Sequence, residues 1–113
     1  MPARGEVWFA NLGPTRGAEQ AGTRAVILFQ ADAVNEFTST VLCIPLTPNL
    51  RRAALSTCPL IRRPEGGLSD DSVALCHQMR ALDKTRLVRR PGRLSPEALS
   101  ALEGRVLFTT GML

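Results

Sequence analysis

The chain has 113 residues, of which 44% are apolar and 21% charged; this composition excludes a disordered chain and indicates one folded domain over residues 1–113. Its longest apolar runs, 25–29 and 41–46, are far shorter than the ~20 residues of a membrane helix, and the N-terminus lacks a signal-peptide core, so a cytoplasmic location is expected. The formal charge is +4, the pI is near 9.8, and every basic residue except Lys84 is arginine, which favours a polyanionic partner, although genome coding bias also enriches arginine.

The first two predicted strands flank a polar loop. In EVWFANL (6–12), apolar side chains fall on both faces before the turn-forming GPTRG, a pattern typical of a strand. TRAVILFQ (23–30) is apolar without alternation, which indicates a central strand covered on both faces.

The next segment returns to strand character after a short break. ADAVNEF (31–37) predicts a short helical turn, and TVLCIPLT (40–47) predicts a third strand that ends before Pro48. Because proline cannot donate a ladder hydrogen bond, Pro45 predicts a bulge or an edge position.

The second half of the chain has weaker signals. RRAAL (51–55) is ambiguous, and TCPLIRRPEGGL (57–68) predicts a short edge strand that turns at Glu65–Gly67. DSVALCHQMRALD (71–83) fits either one long strand or two strands with a bend near His77.

A C-terminal helix is the clearest single element. Ser95, Pro96 and Glu97 provide an N-cap, a first-turn proline and an acid near the positive end of the helix dipole. The helix is expected to reach about Phe108, with an apolar stripe of Leu99, Leu102 and Val106.

Five or so short strands with small inserted helices and one C-terminal helix predict an α+β, mainly β fold. In so few residues, the antiparallel sheet is expected to bend into a small barrel.

The three cysteines, Cys43, Cys58 and Cys76, stand far apart, and His77 is the one histidine. No zinc-ligand spacing is present, and an odd cysteine count disfavours a disulfide framework. We therefore expect reduced, mostly buried thiols and no metal or cofactor, with a metal or redox role as the alternative.

Signatures of nucleotide binding, serine hydrolysis and zinc proteolysis are missing from the sequence. What remains is polar side chains where predicted strands begin or end. They are Arg16, Glu19, Gln20 and Arg24 on the first loop, Thr47 at the end of the third strand, and His77, Gln78 and Arg80 in the last polar stretch.

Arg24 and Thr47 become neighbours if the second and third strands pair as an antiparallel hairpin. A guanidinium beside a hydroxyl forms a clamp for the non-bridging oxygens of a phosphodiester. The alternative is a solvated arginine at a strand mouth and a threonine that only ends a strand.

Two residues are candidates for proton transfer. Glu19 is either a solvated loop charge or a base or orienting partner for Arg24. His77 is either a half-buried histidine with one satisfied ring nitrogen or an acceptor of the proton from a ribose hydroxyl, because imidazole titrates near neutral pH. The arginine pairs at 51–52, 62–63 and 89–90 are either solvated or a funnel for RNA.

Three ordered stretches, RGEVWFANLGPTRGAEQAGTRAVIL, IPLT and SVALCHQMRALDKTRL, closely resemble the MazF/PemK family of bacterial toxin endoribonucleases. The resemblance covers nearly the whole chain. It implies a compact SH3-like barrel of the MazF/Kid/CcdB type that forms a homodimer. It also implies metal-independent cleavage of single-stranded RNA at short sequences, and neutralisation by a MazE-like antitoxin.

The resemblance also implies roles for residues. Arg24 and Thr47 match the family's catalytic pair, Glu19 and Gln20 match the loop motif that lines its RNA groove, and Gln78 and Arg80 match its C-x-Q-x-R stretch. Together with the residues singled out by their chemistry, the candidate set is Arg24, Thr47, Glu19 and His77 for catalysis and Arg16, Gln20, Gln78 and Arg80 for RNA binding. The expected reaction is attack of the ribose 2′-hydroxyl on phosphorus, with the base left open between Glu19 and His77.

Three positions depart from the family pattern. Ala25 replaces a common proline, and Ala18 and His77 replace a histidine and an acid found in one PemK-like branch. That branch's acid–base assignment therefore does not transfer to this chain. The rival interpretation is a non-catalytic barrel of the same fold that acts by binding gyrase or RNA.

Overall fold

Residues 2–17, 19 and 21–112, which the computed structural model describes, form a curled antiparallel sheet with a C-terminal helix. The strands are β1 (Glu6–Asn11), β2 (Thr23–Leu28), β3 (Thr40–Thr47), β4 (Leu60–Ile61), β5 (Ser72–Ala74), β6 (Arg80–Asp83) and β7 (Leu87–Arg93). The helices are α1 (Asp32–Asn35) and α2 (Pro96–Thr109), with 3₁₀ turns at Leu50–Ala54, Glu65–Gly67, Cys76–Gln78 and Lys84–Arg86.

The strands run in the order β4-β5-β3-β2-β1-β7, and all pairs are antiparallel. One edge of β3 pairs with β2, while its other edge pairs first with β6 and then with β5. This change of partner curls the sheet into a half-barrel. The prediction of a bent, mainly β fold with short inserted helices and a C-terminal helix is confirmed.

β2 is a central strand with both faces covered, as the unbroken apolar run predicted. Ile27 packs in one core with Val7 and Ile44, whereas Val26 and Leu28 pack in a second core on the opposite face. The strand lies between β1 and β3. The N-terminal end of β2, where the polar loop enters, is therefore held on a rigid support.

The edge position predicted for Pro45 is wrong, because this residue lies inside the central strand β3. It pairs with Val26 on β2 and falls between the last β6 pair, at Cys43, and the first β5 pair, at Leu46. Its carbonyl accepts a hydrogen bond from the Leu75 amide at 2.9 Å. Because Pro45 lies after the residues that pair with β6 and before those that pair with β5, neither of these ladders needs an amide hydrogen at this position. The sheet therefore tolerates proline here.

The segment 71–83 forms two strands, as one of the two alternatives predicted. β5 and β6 are separated by the 3₁₀ turn that contains His77. The predicted helical turn after β2 and the short edge strand β4 are also present. The ambiguous RRAAL segment is mostly a 3₁₀ turn.

β7 was not predicted, and it completes the sheet by pairing with β1. Its sequence, LVRRPGR, has three arginines and a Pro-Gly pair, and most of its residues are exposed or half-buried. The backbone of β7 packs closely against the Glu65–Gly67 turn, which accounts for the glycine at position 67. A Cβ on Gly67, whose φ is +74°, would lie 2.3 Å from the Pro91 carbonyl oxygen. Such packing leaves no apolar periodicity in the sequence.

α2 begins and packs as predicted. The Ser95 hydroxyl accepts a hydrogen bond from the Ala98 amide at 3.1 Å, which caps the helix. Leu102 and Val106 are buried in the core and Leu99 packs against it. Within the described part of the chain, no helix has the length and apolar character needed to cross a bilayer.

The three cysteines are free and buried, as predicted. Burial raises the pKa of the Cys43 thiol to about 11, with partial opposition from Arg80. Burial also raises the pKa of Cys76 to about 11, and the neighbouring Cys58 adds to the effect. These two thiols are therefore neutral at physiological pH.

We expect the native protein to react slowly with iodoacetamide at pH 8, because its thiols are buried and two of them are neutral. Mass spectrometry should show three labelled cysteines after unfolding in urea and essentially none before it. Rapid labelling of the native chain would contradict the buried positions.

Glu6 is a buried carboxylate that ties the N-terminal segment to β7. Its Oε1 accepts from the Ala3 amide at 2.8 Å and the Trp8 indole at 3.1 Å, and its Oε2 accepts from Arg90 at 2.7 Å. Burial alone raises the pKa of this carboxyl, but the three donors outweigh burial and hold the pKa below its ordinary value.

Glu6→Gln is expected to lower the free energy of unfolding by about 2 kcal/mol at pH 7, because it removes charge-assisted hydrogen bonds. Since the folded-state pKa is lowered, this contribution is full above the ordinary carboxyl pKa and is lost as pH falls through the folded value. Urea titrations should therefore show a smaller difference in free energy of unfolding between the parent and Glu6→Gln at pH 3 than at pH 7. Glu36→Gln, an exposed carboxylate on the surface, should have little effect at either pH.

Candidate active site

The polar loop between β1 and β2 is closed at its base by backbone hydrogen bonds. The Leu12 amide donates to the Gly22 carbonyl at 2.9 Å, and the Gly22 amide donates to the Gly13 carbonyl at 3.1 Å. Gly13 and Gly22 have positive φ values of 70° and 75°, which glycine adopts without steric cost. Arg24 therefore comes two residues after a loop whose two ends are joined by these hydrogen bonds.

Glu19 organises the tip of this loop. Its Oε1 accepts from the Arg16 amide at 3.1 Å, and its carbonyl accepts from the Thr15 hydroxyl at 2.9 Å. These bonds hold Arg16 and Glu19 on the same short segment. The predicted site residue Gln20 lies outside the described residues, as does Ala18.

Arg24 is exposed at the start of β2, opposite Ala10 on β1. Its Nε donates to the Ala21 carbonyl at 3.1 Å, which anchors the side chain and leaves the terminal guanidinium nitrogens for a ligand. No described carboxylate forms an ion pair with it. An anchored, unpaired guanidinium is suited to binding an anion.

Thr47 lies opposite Arg24 when the β2–β3 register is continued. The pairs Val26–Pro45, Ile27–Ile44 and Leu28–Cys43 extend by two positions to Arg24 and Thr47. Thr47 is 7% exposed, and its Oγ1 accepts from the Asn49 amide at 3.2 Å. The hydroxyl hydrogen remains available to donate to an anion on the same face as Arg24.

A groove of about 540 Å³ lies beside this pair and gathers most of the predicted site residues. We use "groove" for the surface lined by Thr15, Arg16, Glu19, Pro45, His77, Gln78 and Arg80, together with Pro14 and Met79. Because side chains alternate along a strand, Thr47 lies on the same face of β3 as Pro45. The groove therefore joins the first loop, β3 and the segment between β5 and β6.

His77 is exposed on the groove, where the alternative interpretation expected a half-buried ring. Its Nδ1 lies 3.5 Å from the Sγ of buried Cys58. This contact anchors one ring nitrogen, as that alternative required, and leaves Nε2 for a substrate. Arg80 is half-buried, and its Nη1 makes a long 3.5 Å contact to the Leu12 carbonyl, so its charge also faces the groove.

A smaller cavity of about 170 Å³ lies on the other side of Arg24. We use "cavity" for the depression lined by Phe9, Arg24, Ser69, Asp70 and Ser72, together with Thr23, Ala25, Leu46, Pro48 and Leu68. Sequence reasoning missed Ser69, Asp70 and Ser72. The polar run SDDS after Gly66–Gly67 was their only signal, and it is equally typical of a surface turn.

The arginine pairs at 51–52, 62–63 and 89–90 were predicted to be either solvated or a funnel for RNA. None of them lines the groove or the cavity. Arg89 lies over the Phe9 ring, 4.3 Å from its centroid, and Arg90 pairs with Glu6. Both arginines of the 89–90 pair therefore have structural partners. The groove contains Arg16, Arg80, Glu19 and His77, and Arg24 lines the cavity.

This arrangement can bind a phosphodiester and move a proton. The guanidiniums and the Thr47 hydroxyl supply donors for phosphate oxygens, and Glu19 and His77 supply acceptors for a hydroxyl proton. These groups come from four segments that the half-barrel brings together.

Comparisons with known proteins cover nearly the full chain. Residues 3–108 match the family model described as PemK-like, MazF-like toxin of type II toxin-antitoxin system. The protein named Endoribonuclease MazF from Staphylococcus saprophyticus is 33% identical over 112 residues, covering 99% of this chain and 93% of that protein.

Solved structures share the fold. A mycobacterial endoribonuclease in complex with its cognate antitoxin superposes with a TM-score of 0.83 at 19% identity, covering 100% of this chain and 98% of that one. MazF from Deinococcus radiodurans gives a TM-score of 0.82 at 23% identity, covering 98% and 97%. The match over residues 3–108 and the 33% identical relative establish that the chain belongs to the PemK-like, MazF-like toxin family of type II toxin–antitoxin systems.

Proposed function

We propose that this protein is the toxin of a type II toxin–antitoxin system and acts as an endoribonuclease on single-stranded RNA. The ribose 2′-hydroxyl attacks the adjacent phosphorus, the bond to the 5′-oxygen of the next nucleotide breaks, and the products carry a 2′,3′-cyclic phosphate and a 5′-hydroxyl. The reaction needs no metal, since the RNA supplies its own nucleophile.

The observation that carries the proposal is the position of Arg24 opposite Thr47, beside a groove that contains two proton acceptors. Arg24 stabilises the negative charge that develops on the phosphate oxygens and protonates the leaving oxygen, and Thr47 donates to the same phosphate. His77 or Glu19 takes the proton of the 2′-hydroxyl. A passive RNA-binding surface would need no such pairing of an arginine with a threonine and an acceptor.

The groove and the loop between β1 and β2 bind the RNA strand. Arg16 and Arg80 offer guanidiniums to flanking phosphates, and Gln78 and Gln20 offer amides to bases. Single-stranded RNA suits this surface because its bases are free to turn away from one another and meet side chains.

The partners follow from the family and its relatives. The Staphylococcus saprophyticus relative is named as an endoribonuclease, and the mycobacterial neighbour was solved with its cognate antitoxin. For this chain we propose a homodimer in the cytoplasm, where mRNA is the substrate, and a MazE-like antitoxin that covers the basic groove through acidic and apolar side chains.

The test is incubation of purified protein with mixed-sequence RNA in EDTA, followed by mapping of the cut ends. Discrete cuts are expected, with 5′ ends that ligate to an adaptor only after phosphorylation and 3′ ends that ligate only after the cyclic phosphate is opened and the resulting phosphate removed. Intact RNA together with inhibited gyrase would overturn the proposal in favour of the gyrase-binding alternative. Intact RNA that nevertheless binds the protein tightly would show an RNA-binding module without cleavage activity.

A further inference from the structure

We infer that the cavity beside Arg24 is a cytosine-binding pocket in which Asp70 selects the base next to the cleaved phosphate. The inference rests on the proposed ribonuclease function and adds the identity of one recognised base. None of the groove residues is involved, because the cavity is a separate depression whose lining includes Arg24.

The size of the cavity fits a single-ring base. A closed apolar cavity of roughly 150 Å³ is large enough to bind benzene. A volume of about 170 Å³ therefore accommodates the six-membered ring of a pyrimidine. An RNA phosphate held by Arg24 would bring the attached nucleotide to this opening.

One wall of the cavity is aromatic. Phe9 lines it, and the guanidinium of Arg89 lies over the Phe9 ring, 4.3 Å from its centroid. A flat base can use such a ring as a stacking surface, and the arginine contact holds the ring in place. The apolar side chains of Leu46 and Leu68 continue this wall.

The opposite side is polar and has a carboxylate acceptor. The Ser69 hydroxyl donates to Asp70 Oδ2 at 3.3 Å, and the buried Ser72 hydroxyl donates to the Asp70 backbone carbonyl at 3.2 Å. No described cation forms an ion pair with Asp70. Ser72 therefore holds the backbone at Asp70, and the carboxylate remains free to accept a hydrogen bond.

An ionised carboxylate accepts hydrogen bonds and donates none. It therefore favours a base with an amino group at its edge and disfavours one with a carbonyl there. Among pyrimidines, cytosine has the N4 amino group and uracil has the O4 carbonyl, and carboxylates of Asp and Glu accept from cytosine N4. The fit to a six-membered ring and the carboxylate acceptor together favour cytosine.

The experiment is deep sequencing of cut ends from a randomised RNA pool, using the parent protein, Asp70→Asn and Asp71→Asn. The parent should be enriched for cytosine at one position flanking the cut. Asp70→Asn should cut with a cytosine-to-uracil ratio reduced roughly tenfold, because an amide also donates to uracil O4. Asp71→Asn is the matched control, since Asp71 Oδ1 accepts from the Arg63 amide at 3.0 Å and does not line the cavity.

The outcomes separate this inference from the proposed function. If the parent protein cuts no RNA, the proposed function fails. If the parent cuts without cytosine enrichment, or Asp70→Asn keeps the parent's base ratio, the protein is a ribonuclease but the pocket assignment is wrong. If Asp70→Asn abolishes all cutting while folding normally, Asp70 acts in the chemistry and not in base selection.

Discussion

Arg24→Ala is expected to slow RNA cleavage by about 10²- to 10³-fold, the usual cost of removing one donor to a developing oxyanion. Among the described residues, the guanidinium is anchored through Nε to the Ala21 carbonyl, and it lies opposite Thr47 in the continued β2–β3 register. Loss of the side chain removes charge stabilisation and leaves the ladder bonds of β2 intact. Single-turnover rates on a short RNA that contains one cut site would measure the effect.

Two further variants make the Arg24 result specific. Arg24→Lys keeps the positive charge but loses the fixed fork of donors, so its rate should fall between those of the parent and Arg24→Ala. Arg62→Ala removes an exposed arginine that lines neither the groove nor the cavity and should cleave like the parent. An Arg24→Ala protein that folds normally and cleaves at the parental rate would remove Arg24 from the chemistry.

His77→Asn is expected to slow cleavage by 10²- to 10⁴-fold, the range for a general base, and to flatten the pH dependence of the rate. His77 is exposed on the groove with Nδ1 against Cys58, so Nε2 is open to the groove. The parental rate should rise from acid to alkaline pH, because a general base acts in its deprotonated form. The measurement is the single-turnover rate from pH 5 to pH 9.

Glu19→Gln is the paired variant that separates the two candidate bases. The amide oxygen of glutamine can still accept from the Arg16 amide, so the loop should keep its shape. If His77 is the base, this variant keeps the parental pH profile with a modest loss of rate. A profile flattened by Glu19→Gln and unchanged by His77→Asn would assign the base to Glu19.

Much of the fold was predictable because its buried elements have clear apolar patterns. β2 and β3 are covered on both faces, and α2 has a capped start and an apolar stripe, so tertiary packing agrees with the local pattern. β7 was missed because it is an edge strand with three arginines, and its Pro91–Gly92 backbone packs against the Glu65–Gly67 turn. Pro45 was misplaced because one sequence does not reveal where a strand exchanges partners.

The candidate site was predictable where strand ends define it. Arg24 and Thr47 were found from the ends of two strands that pair, and His77 from a bend between two others. Ser69 and Asp70 were not found, because a polar turn has the same composition whether or not it borders a cavity. The contact of Cys58 with His77 joins residues 19 positions apart through packing that no spacing rule describes.

The exchange of partners along β3 also bears on when a newly made chain becomes harmful. β3 meets β2 on one edge, and β6 and then β5 on the other, and Arg80 at the start of β6 forms part of the groove. A nascent chain that has not yet exposed β6 outside the ribosome has Arg24 and Thr47 but lacks half of the groove. The order of synthesis thus delays assembly of the site until most of the domain is translated.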